Sequence, residues 1–531
     1  MPVVVRNLTL SPGEPEEKLR GQVASRYNLP PEDILSLTVI RRGIDARKKP
    51  RVKVVYSVRL VLRDEERFLR RYGGADVAAE EPRRGRSFPA IPQPGDGIVI
   101  VGAGPAGLFC ALRLSEYGLT ATLLERGDDV RGRLQRVQRF WSEGLLDPES
   151  NVQFGEGGAG TFSDGKLTTR VKDPEVEYVL RQLVAFGAPA DIMVAAKPHI
   201  GTDLLRGVVV ALREHLQRSG FHVRFRSRLT SIAAAAGRVS GAVVGDADEI
   251  ACGMLVLAPG HSSRDTYEML QRSGVALEAK PFAIGVRVEH PQELIDSIQY
   301  GRGHSAALPP ADYAVTFNDA VSGRSAYSFC MCPGGVVVAS SSEAGGVVTN
   351  GMSLSRRNAP CANSALVVNV RPDDFGGSGP LAGIEFQRKW EHRAFAAGGG
   401  GYAAPAQNLI SFLGGKGGQC RSSYRPTVRE TDLAEVLPPY VAETLRSGIR
   451  HFDSRMKGFI TADATLTGVE TRTSAPVRIV RGEDLQSVTL KGLYPAGEGA
   501  GYAGGIVSAA LDGIRVADAI AARLQSKRSM Q

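Results

Sequence analysis

Apolar and polar residues alternate with a period of two along residues 3 to 10 and again through Val52-Lys-Val-Val-Tyr-Ser-Val-Arg-Leu-Val-Leu62, the spacing of half-buried strands. Between them Glu14 to Tyr27 carries its apolar positions at helical spacing. A basic turn is expected from Arg41 to Arg51 and a short charged helix near Glu65 to Tyr72. This reads as a small α+β module followed by a linker, Gly74 to Gly97, rich in glycine, proline and charge.

From Gly97 the pattern changes to strand, glycine turn, helix, strand. Ile98 to Val101 is a short continuous apolar run, Leu108 to Tyr117 is helical and Ala121 to Leu124 is a second strand, which together form a βαβ unit. Alternating elements continue to about Arg228, and the same character returns from Gly492 to the end of the sequence. The stretch between, roughly 280 to 460, is richer in strand-like runs: FAIGVRVEH, GGVVVAS and ALVVNV. The expected fold class is therefore α/β, a Rossmann-type nucleotide-binding domain interrupted by an inserted α+β domain and preceded by the small module. The expected divisions are 1–90, 91–275, 276–465 and 466–531.

A chain of 531 residues exceeds one ordinary domain, consistent with this division. Its 43 % hydrophobic and 23 % charged content argues against disorder as the main state. Six scattered cysteines make no disulfide framework, and neither a secretory leader nor a membrane span is expected, so the sequence reads as reduced and cytoplasmic. The formal charge of +9 raises nucleic acid as a partner. The basic run at 41–51 has no interleaved aromatic residues for base stacking, so it is read as a solvated hairpin. The 62 glycines say more, because many cluster in three loops.

The first loop is Gly102-Ala103-Gly104-Pro105-Ala106-Gly107, set between a strand and a helix, with Glu125 ending the next strand. Gly102 suits a tight turn, Gly104 a close approach of backbone to pyrophosphate, and Gly107 close packing of helix on sheet. The helix N-terminus offers unpaired N–H groups to phosphate, and Glu125 is spaced to accept a ribose hydroxyl. NAD and FAD share this fingerprint. The second loop, Leu493-Tyr-Pro-Ala-Gly497-Glu498-Gly-Ala-Gly501 with Gly504-Gly505-Ile506 before a helix, resembles the second FAD motif of glutathione-reductase-type flavoproteins. Glu498 stands where most such proteins have Asp. Val223 to Ile232, including Leu229, and Met254-Leu-Val-Leu-Ala258-Pro-Gly260 resemble the adenine-contacting and Ala-Thr-Gly strands of the same fold, with Pro259 replacing Thr. Three motifs in this order imply non-covalent FAD.

The resemblance then narrows. Phe154-GEGGAGTFSDGKL-Thr168, Lys197-PHIGTDLL-Arg206, Pro281-FAIGVRVEH-Pro291, Phe329-CMCPGG-Val336 and Gly468-VETRTSAPVRI-Val480 are similar to segments of a bacterial family of FAD-dependent dehydrogenases, or NAD(P)/FAD-dependent oxidoreductases. The similarity covers nearly the whole chain and implies a flavoenzyme without fixing its reaction.

Within these segments the third loop, Gly155 to Lys166, is expected to wrap pyrophosphate and ribityl chain through Gly158 and Thr161. Lys166 is the first candidate for a cation beside the reduced flavin. Of Arg126, Arg131 and Arg133, one is expected to pair with pyrophosphate. His261 is a hydrogen-bonding or acid–base candidate, and Tyr502 and Arg472 are candidates for the substrate pocket. Cys330-Met-Cys332 sits in a strand-like stretch and is read as structural rather than as a redox pair or a metal site, since no further ligands accompany it.

The expected function is hydride transfer between a small molecule and flavin N5, as a dehydrogenase or oxidase or as a C=C or C=N reductase. With one dinucleotide fingerprint, NAD(P)H is a transient co-substrate at most. An FAD-dependent monooxygenase using NAD(P)H and oxygen is the alternative, although the Gly-Asp-Ala, His and Pro of those enzymes are replaced here by Gly497-Glu498-Gly499-Ala-Gly501. An alternative of another class is a flavin-containing RNA-binding or RNA-modifying protein.

Overall fold

A computed structural model describes residues 1–81 and 87–529. Residues 82–86 of the expected linker and the last two residues of the chain lie outside the described residues.

The N-terminal module is an antiparallel sheet in the order Ile34–Asp45, Lys53–Leu62, Val3–Leu10, Val77–Ala79, with the helices Lys18–Tyr27 and Glu65–Tyr72 on it. Its buried core alternates along the strands, as the period of two requires: Val3, Val5, Leu8 and Leu10, then Tyr56, Val58, Leu60 and Leu62. The strand Ile34–Asp45 was not expected. It absorbs the first half of the basic turn because Arg41 to Asp45 pair across to Ser57 to Lys53. The helix begins at Lys18 rather than Glu14, after the turn that holds Pro15. Nor is the basic segment simply solvated: Arg42 N–H donates to the Val194 carbonyl, and its guanidinium pairs with Glu16 and Asp191.

Among the described residues a parallel sheet runs in the order Leu493–Pro495, Met254–Leu257, Ile98–Val101, Thr122–Leu124, His222–Arg224. Its strands read as unbroken apolar runs because both faces are covered. Ile98, Ile100, Met254 and Val256 face the helices Pro105–Glu116, Thr202–Arg218 and Ile506–Ser529. Val99, Leu255 and Leu257 face the helix Arg264–Arg272 and a three-stranded antiparallel sheet, Leu229–Ala235, Arg238–Val244 and Asp248–Ala251.

A second, larger sheet lies between these segments in sequence: Thr316–Asp319, Arg324–Cys332, Cys361–Val370, Phe282–Pro291, Thr465–Glu470, Ala404–Asn408, Val428–Glu430. Phe282–Pro291 is its central strand and is buried almost throughout. The helices Ala382–Ala397 and Pro439–Arg455 contribute to the core on one face. Gly335–Ala339 leaves this sheet and pairs with Thr349–Ser353 instead.

The helix Pro105–Glu116 and the C-terminal helix meet with no side chain between them at Gly513, where a Cβ would stand 2.0 Å from the Ala106 carbonyl oxygen. Gly513→Ala is expected to cost about 1–3 kcal/mol through overpacking, visible as a lower urea midpoint with an unchanged slope.

Candidate flavin site

A cavity of about 390 Å³ opens at the C-terminal ends of the parallel strands and is closed on its far side by the larger sheet. Its floor is backbone. Gly102 has φ +101°, and a Cβ there would stand 2.1 Å from the Ala258 carbonyl oxygen; one on Gly107 would stand 1.9 Å from the Gly102 carbonyl oxygen. Only glycine lets these segments touch. The turn delivers Gly104, the N-cap of Pro105–Glu116, to the cavity with no side chain capping the helix. Its unpaired N–H groups therefore face open space, an arrangement that suits a phosphate anion. Gly504, Gly505 and Ile506 bring the start of the C-terminal helix to the same cavity, and a Cβ on either glycine would meet nothing within 4 Å. A dinucleotide with its phosphates at one helix and its ring at the other fits this donor set.

The structure brings most of the anticipated residues to this cavity: Gly102, Gly104, Pro105, Ala106, Glu125, Arg126, Gly158, Lys166, Leu229, Ala258, Gly260, His261, Arg472, Glu498, Gly504, Gly505 and Ile506 line it. Ala103, Gly107 and Gly497 lie just behind. Ala103 donates its N–H to Glu125 Oε2 at 2.9 Å, and Gly497 donates to Asp512 at 2.7 Å.

Other anticipated residues have different work. Arg133 is fully buried and does not reach the cavity. Its guanidinium donates to the carbonyls of Asn151, Val152, Gly155, Glu156 and Gly158 and to Thr161 Oγ1, so it organises the glycine loop instead of pairing with pyrophosphate. Burial pulls its pKa down to about 9, which leaves it charged at neutral pH. Thr161 is buried in the same knot, its hydroxyl donating to the Gly158 carbonyl at 2.8 Å. Arg126 lines the cavity, but its donors are taken by Glu149 and Asp265 at 2.9–3.1 Å while its plane covers Phe154. Arg131 is exposed. Glu125 accepts from Gly127 and Gly155 as well as Ala103, tying three loops together with the carboxylate expected at the ribose. Tyr502 turns away from the cavity: its ring lies under Arg481, 3.7 Å from the guanidinium carbon, and its hydroxyl donates to the Ile479 carbonyl.

The electrostatics of the wall are specific. Burial, with Arg472, Arg264 and Lys280 nearby, holds His261 down to about 4, so its imidazole is neutral. Burial pushes Glu498 up to about 7, against the pull of Lys280. Arg472 and Arg264 share the buried carboxylate of Glu391 at 2.7–3.2 Å. Lys166 Nζ is buried without a hydrogen-bond acceptor, its nearest carboxylate oxygen being Asp164 Oδ2 at 3.3 Å. Asp164 is already engaged by Arg357. Sequence reasoning missed Asn350 and Glu470 on the wall, and it gave Cys330 no place there. Glu470 lies inside the motif 468–480, whereas Asn350 carries no signal.

Comparison with known proteins agrees with this geometry. A family model described as pyridine nucleotide-disulphide oxidoreductase matches residues 96–279, one described as FAD-dependent protein, C-terminal domain-like, matches 281–473, and a domain of unknown function matches 1–61. An uncharacterized protein of Clostridium beijerinckii is 50 % identical over 526 residues, covering 98 % of each chain. The chain belongs to this family of FAD-dependent oxidoreductases. Solved structures superpose loosely on the flavoprotein. A geranylgeranyl bacteriochlorophyll reductase-like protein of Thermoplasma acidophilum shares 12 % identity at TM-score 0.37, over 81 % of this chain and 79 % of its own. A glycerol-3-phosphate dehydrogenase of Bacillus halodurans complexed with FAD shares 12 % at 0.36, over 83 % and 66 %. Neither likeness carries an argument about chemistry. No helix among the described residues of the flavoprotein is long and apolar enough to cross a membrane.

Two outcomes follow for the flavoprotein's own residues. Arg133→Met strands the buried carbonyls of the glycine loop and is expected to cost about 3 kcal/mol or more, with flavin lost on gel filtration while the far-ultraviolet circular dichroism is retained. Glu498 has a folded pKa of about 7 against an ordinary value of 4.5, so the folded state binds the extra proton between them. Its contribution to stability is complete below 4.5 and lost as pH rises through 7. Glu498→Gln, measured on flavin-stripped protein by urea unfolding, should therefore gain stability relative to the parent as pH rises across that window.

Proposed function

We propose that the protein is an FAD-dependent dehydrogenase whose small-molecule substrate enters between the flavin and the larger sheet and gives up a hydride to flavin N5. In this reading residues 276–465 roof the flavin, 91–275 and 466–531 hold it, and 1–90 is a module docked beside them. The observation that supports the reading is that the chain carries one dinucleotide fingerprint, Gly102 to Gly107, and one parallel sheet among the described residues. A nicotinamide cofactor has no second site of that kind and would have to dock transiently where the substrate does.

FAD, when bound, supplies the two-electron acceptor. The helix N-terminus at Pro105 would hold the pyrophosphate through the backbone N–H groups that follow it and the positive end of the helix dipole. Gly504, Gly505 and the start of the C-terminal helix, which line the same cavity, would hold the ring end. Lys166 places a positive charge in the cavity, which favours negative charge arising on the flavin as electrons arrive. His261, being neutral, offers a hydrogen bond and no charge; its Nδ1 lies 2.9 Å from Ser262 Oγ, which fixes the ring. Glu498 holds or releases a proton near neutral pH, and Arg472, locked by Glu391, orients polar substrate atoms.

The purified protein is expected to show the visible absorption of bound flavin. Mixed anaerobically with NADH or NADPH it should keep that absorption over many turnovers' time, and a substrate found by screening small alcohols, amines and hydroxy acids should bleach it. Rapid bleaching by either nicotinamide would count against the dehydrogenase reading.

A further inference from the structure

Four arginine and lysine side chains among the described residues line the cavity, and three of them are engaged. Arg126 holds Glu149 and Asp265, Arg228 holds Glu149, and Arg472 holds Glu391. Lys166 differs. Its Nζ is buried and has no hydrogen-bond partner, oxygen or sulfur, among the described residues. The nearest carboxylate oxygen, Asp164 Oδ2 at 3.3 Å, already accepts from Arg357. A buried ammonium without acceptors is costly, and an anion brought to it relieves that cost. Thr168, on the same segment, also lines the cavity and is exposed, so the ammonium lies near an opening to solvent.

A neutral donor joins it from the larger sheet's side. Asn350, on the strand Thr349–Ser353, accepts at its amide oxygen from the Gly351 N–H at 2.8 Å and from the Arg287 guanidinium at 3.4 Å. Both partners are donors, so the oxygen must face them, and the amide NH2 is the end left over on a residue that lines the cavity. Arg287 itself is spent on Glu470, Asn363 and the Cys330 carbonyl. The carboxylates nearby are thus spoken for, Glu470 by Arg287 and Asp164 by Arg357. Lys166 is the cation left over. Glu498 reaches the cavity from the loop before the C-terminal helix, and burial favours its protonated form, so it does not cancel that charge in full.

We infer that the substrate is a carboxylic acid whose carboxylate is seated on the Lys166 ammonium, with the Asn350 amide NH2 as a neutral donor to its oxygens. A carboxylate carries the single negative charge that one unmatched cation calls for, whereas a phosphate dianion would exceed it. The rest of the molecule meets Phe329 and Thr473 on the wall, and the Thr473 hydroxyl is already spent on the Ala283 carbonyl at 3.2 Å. Specificity for charge therefore falls to Lys166, and the engaged arginines add shape. The inference rests on the dehydrogenase reading, in which FAD occupies the cavity floor and the substrate enters between it and the larger sheet.

Equilibrium titration of the oxidised full-length holoenzyme tests it, read by the change in visible absorption that a ligand beside the flavin produces. The probes are isobutyrate, benzoate and phenylacetate, each set against its uncharged amide. At least one acid should bind saturably and about tenfold or more tighter than its amide. Lys166→Met strands no acceptor, because Nζ serves none; it should abolish the preference while flavin stays bound, and Lys166→Arg should restore part of it. Asn350→Asp keeps an oxygen for Gly351 and Arg287 but adds a negative charge to the wall, and should weaken the acid about tenfold with little effect on the amide. If Lys166→Met releases the flavin, the parent's ratio of acid to amide and the Asn350→Asp variant decide. An acid bound no better than its amide, a preference that survives Lys166→Met, no saturable change with any of the three acids, or inorganic phosphate binding tighter than all of them would overturn the inference. Flavin retained in those outcomes leaves the dehydrogenase reading standing, and protein that holds no flavin would overturn both.

Discussion

Strand, loop, helix and C-terminal helix meet beneath the cavity as bare backbone. Gly102 lies against the Ala258 carbonyl, Gly107 against the Gly102 carbonyl, Gly513 against the Ala106 carbonyl and Gly499 against Gly260. A methyl group at any of these positions would have to displace main chain, which has nowhere to go between a sheet covered on both faces and the helix above it. The contact also sets the electrostatics. The field of a helix end fades within its first turn, so the N-terminus at Pro105 acts on the cavity only because no side chain separates it from the turn before it. Packing and anion affinity thus have one cause, the missing Cβ atoms.

The opposite wall is held by charge. Arg264, on the helix after the strand Met254–Leu257, and Arg472, just past the strand Thr465–Glu470, converge on Glu391 from the helix Ala382–Ala397. Glu343 joins them through Arg264 and is held down to about 2 by Arg388, Arg264 and Arg472 despite burial. Buried ion pairs of this kind add little net stability, but removing one partner strands the others in a medium that solvates them poorly. The network therefore fixes where the larger sheet sits over the flavin-binding sheet more than how tightly it does so. Its charges are mutually engaged, which leaves Lys166 as a cation whose nearest carboxylate is already shared with Arg357.

How much of this was legible in the sequence follows from how local each signal is. The glycine loop, the apolar strand before it and the acid after the second strand lie within one βαβ unit, so their spacing specifies their geometry, and the cavity floor could be read directly. Arg133 and Tyr502 were misread because nearness to a motif along the chain says nothing about side-chain direction. Arg133 points back into the loop, and Tyr502 packs under Arg481. The place of Cys330 on the cavity wall was missed for the opposite reason. The alternation rule assumes regular pleating and puts both cysteines on one side, whereas across a bulge one residue long Cys330 lines the cavity and Cys332 does not. Lys166, Cys330, Glu470 and Glu498 share the cavity although hundreds of residues separate the first from the last, and no local pattern records such a meeting.

The bare glycine loop and the buried guanidinium of Arg133 are two sides of one requirement. A loop that must lie flat against a cofactor carries few side chains and so cannot satisfy its own carbonyl groups, which point away from the cavity into the protein. Water cannot serve them there, and a lysine offers a compact charge with three donors where a fan of acceptors has to be met. The planar guanidinium of Arg133 meets five carbonyls and a hydroxyl at once. Arg113, Arg264 and Arg287 are likewise buried among acceptors. Those three are offset by their carboxylates and add nothing to the net charge of +9, whereas Arg133, whose acceptors are all uncharged, does contribute to it.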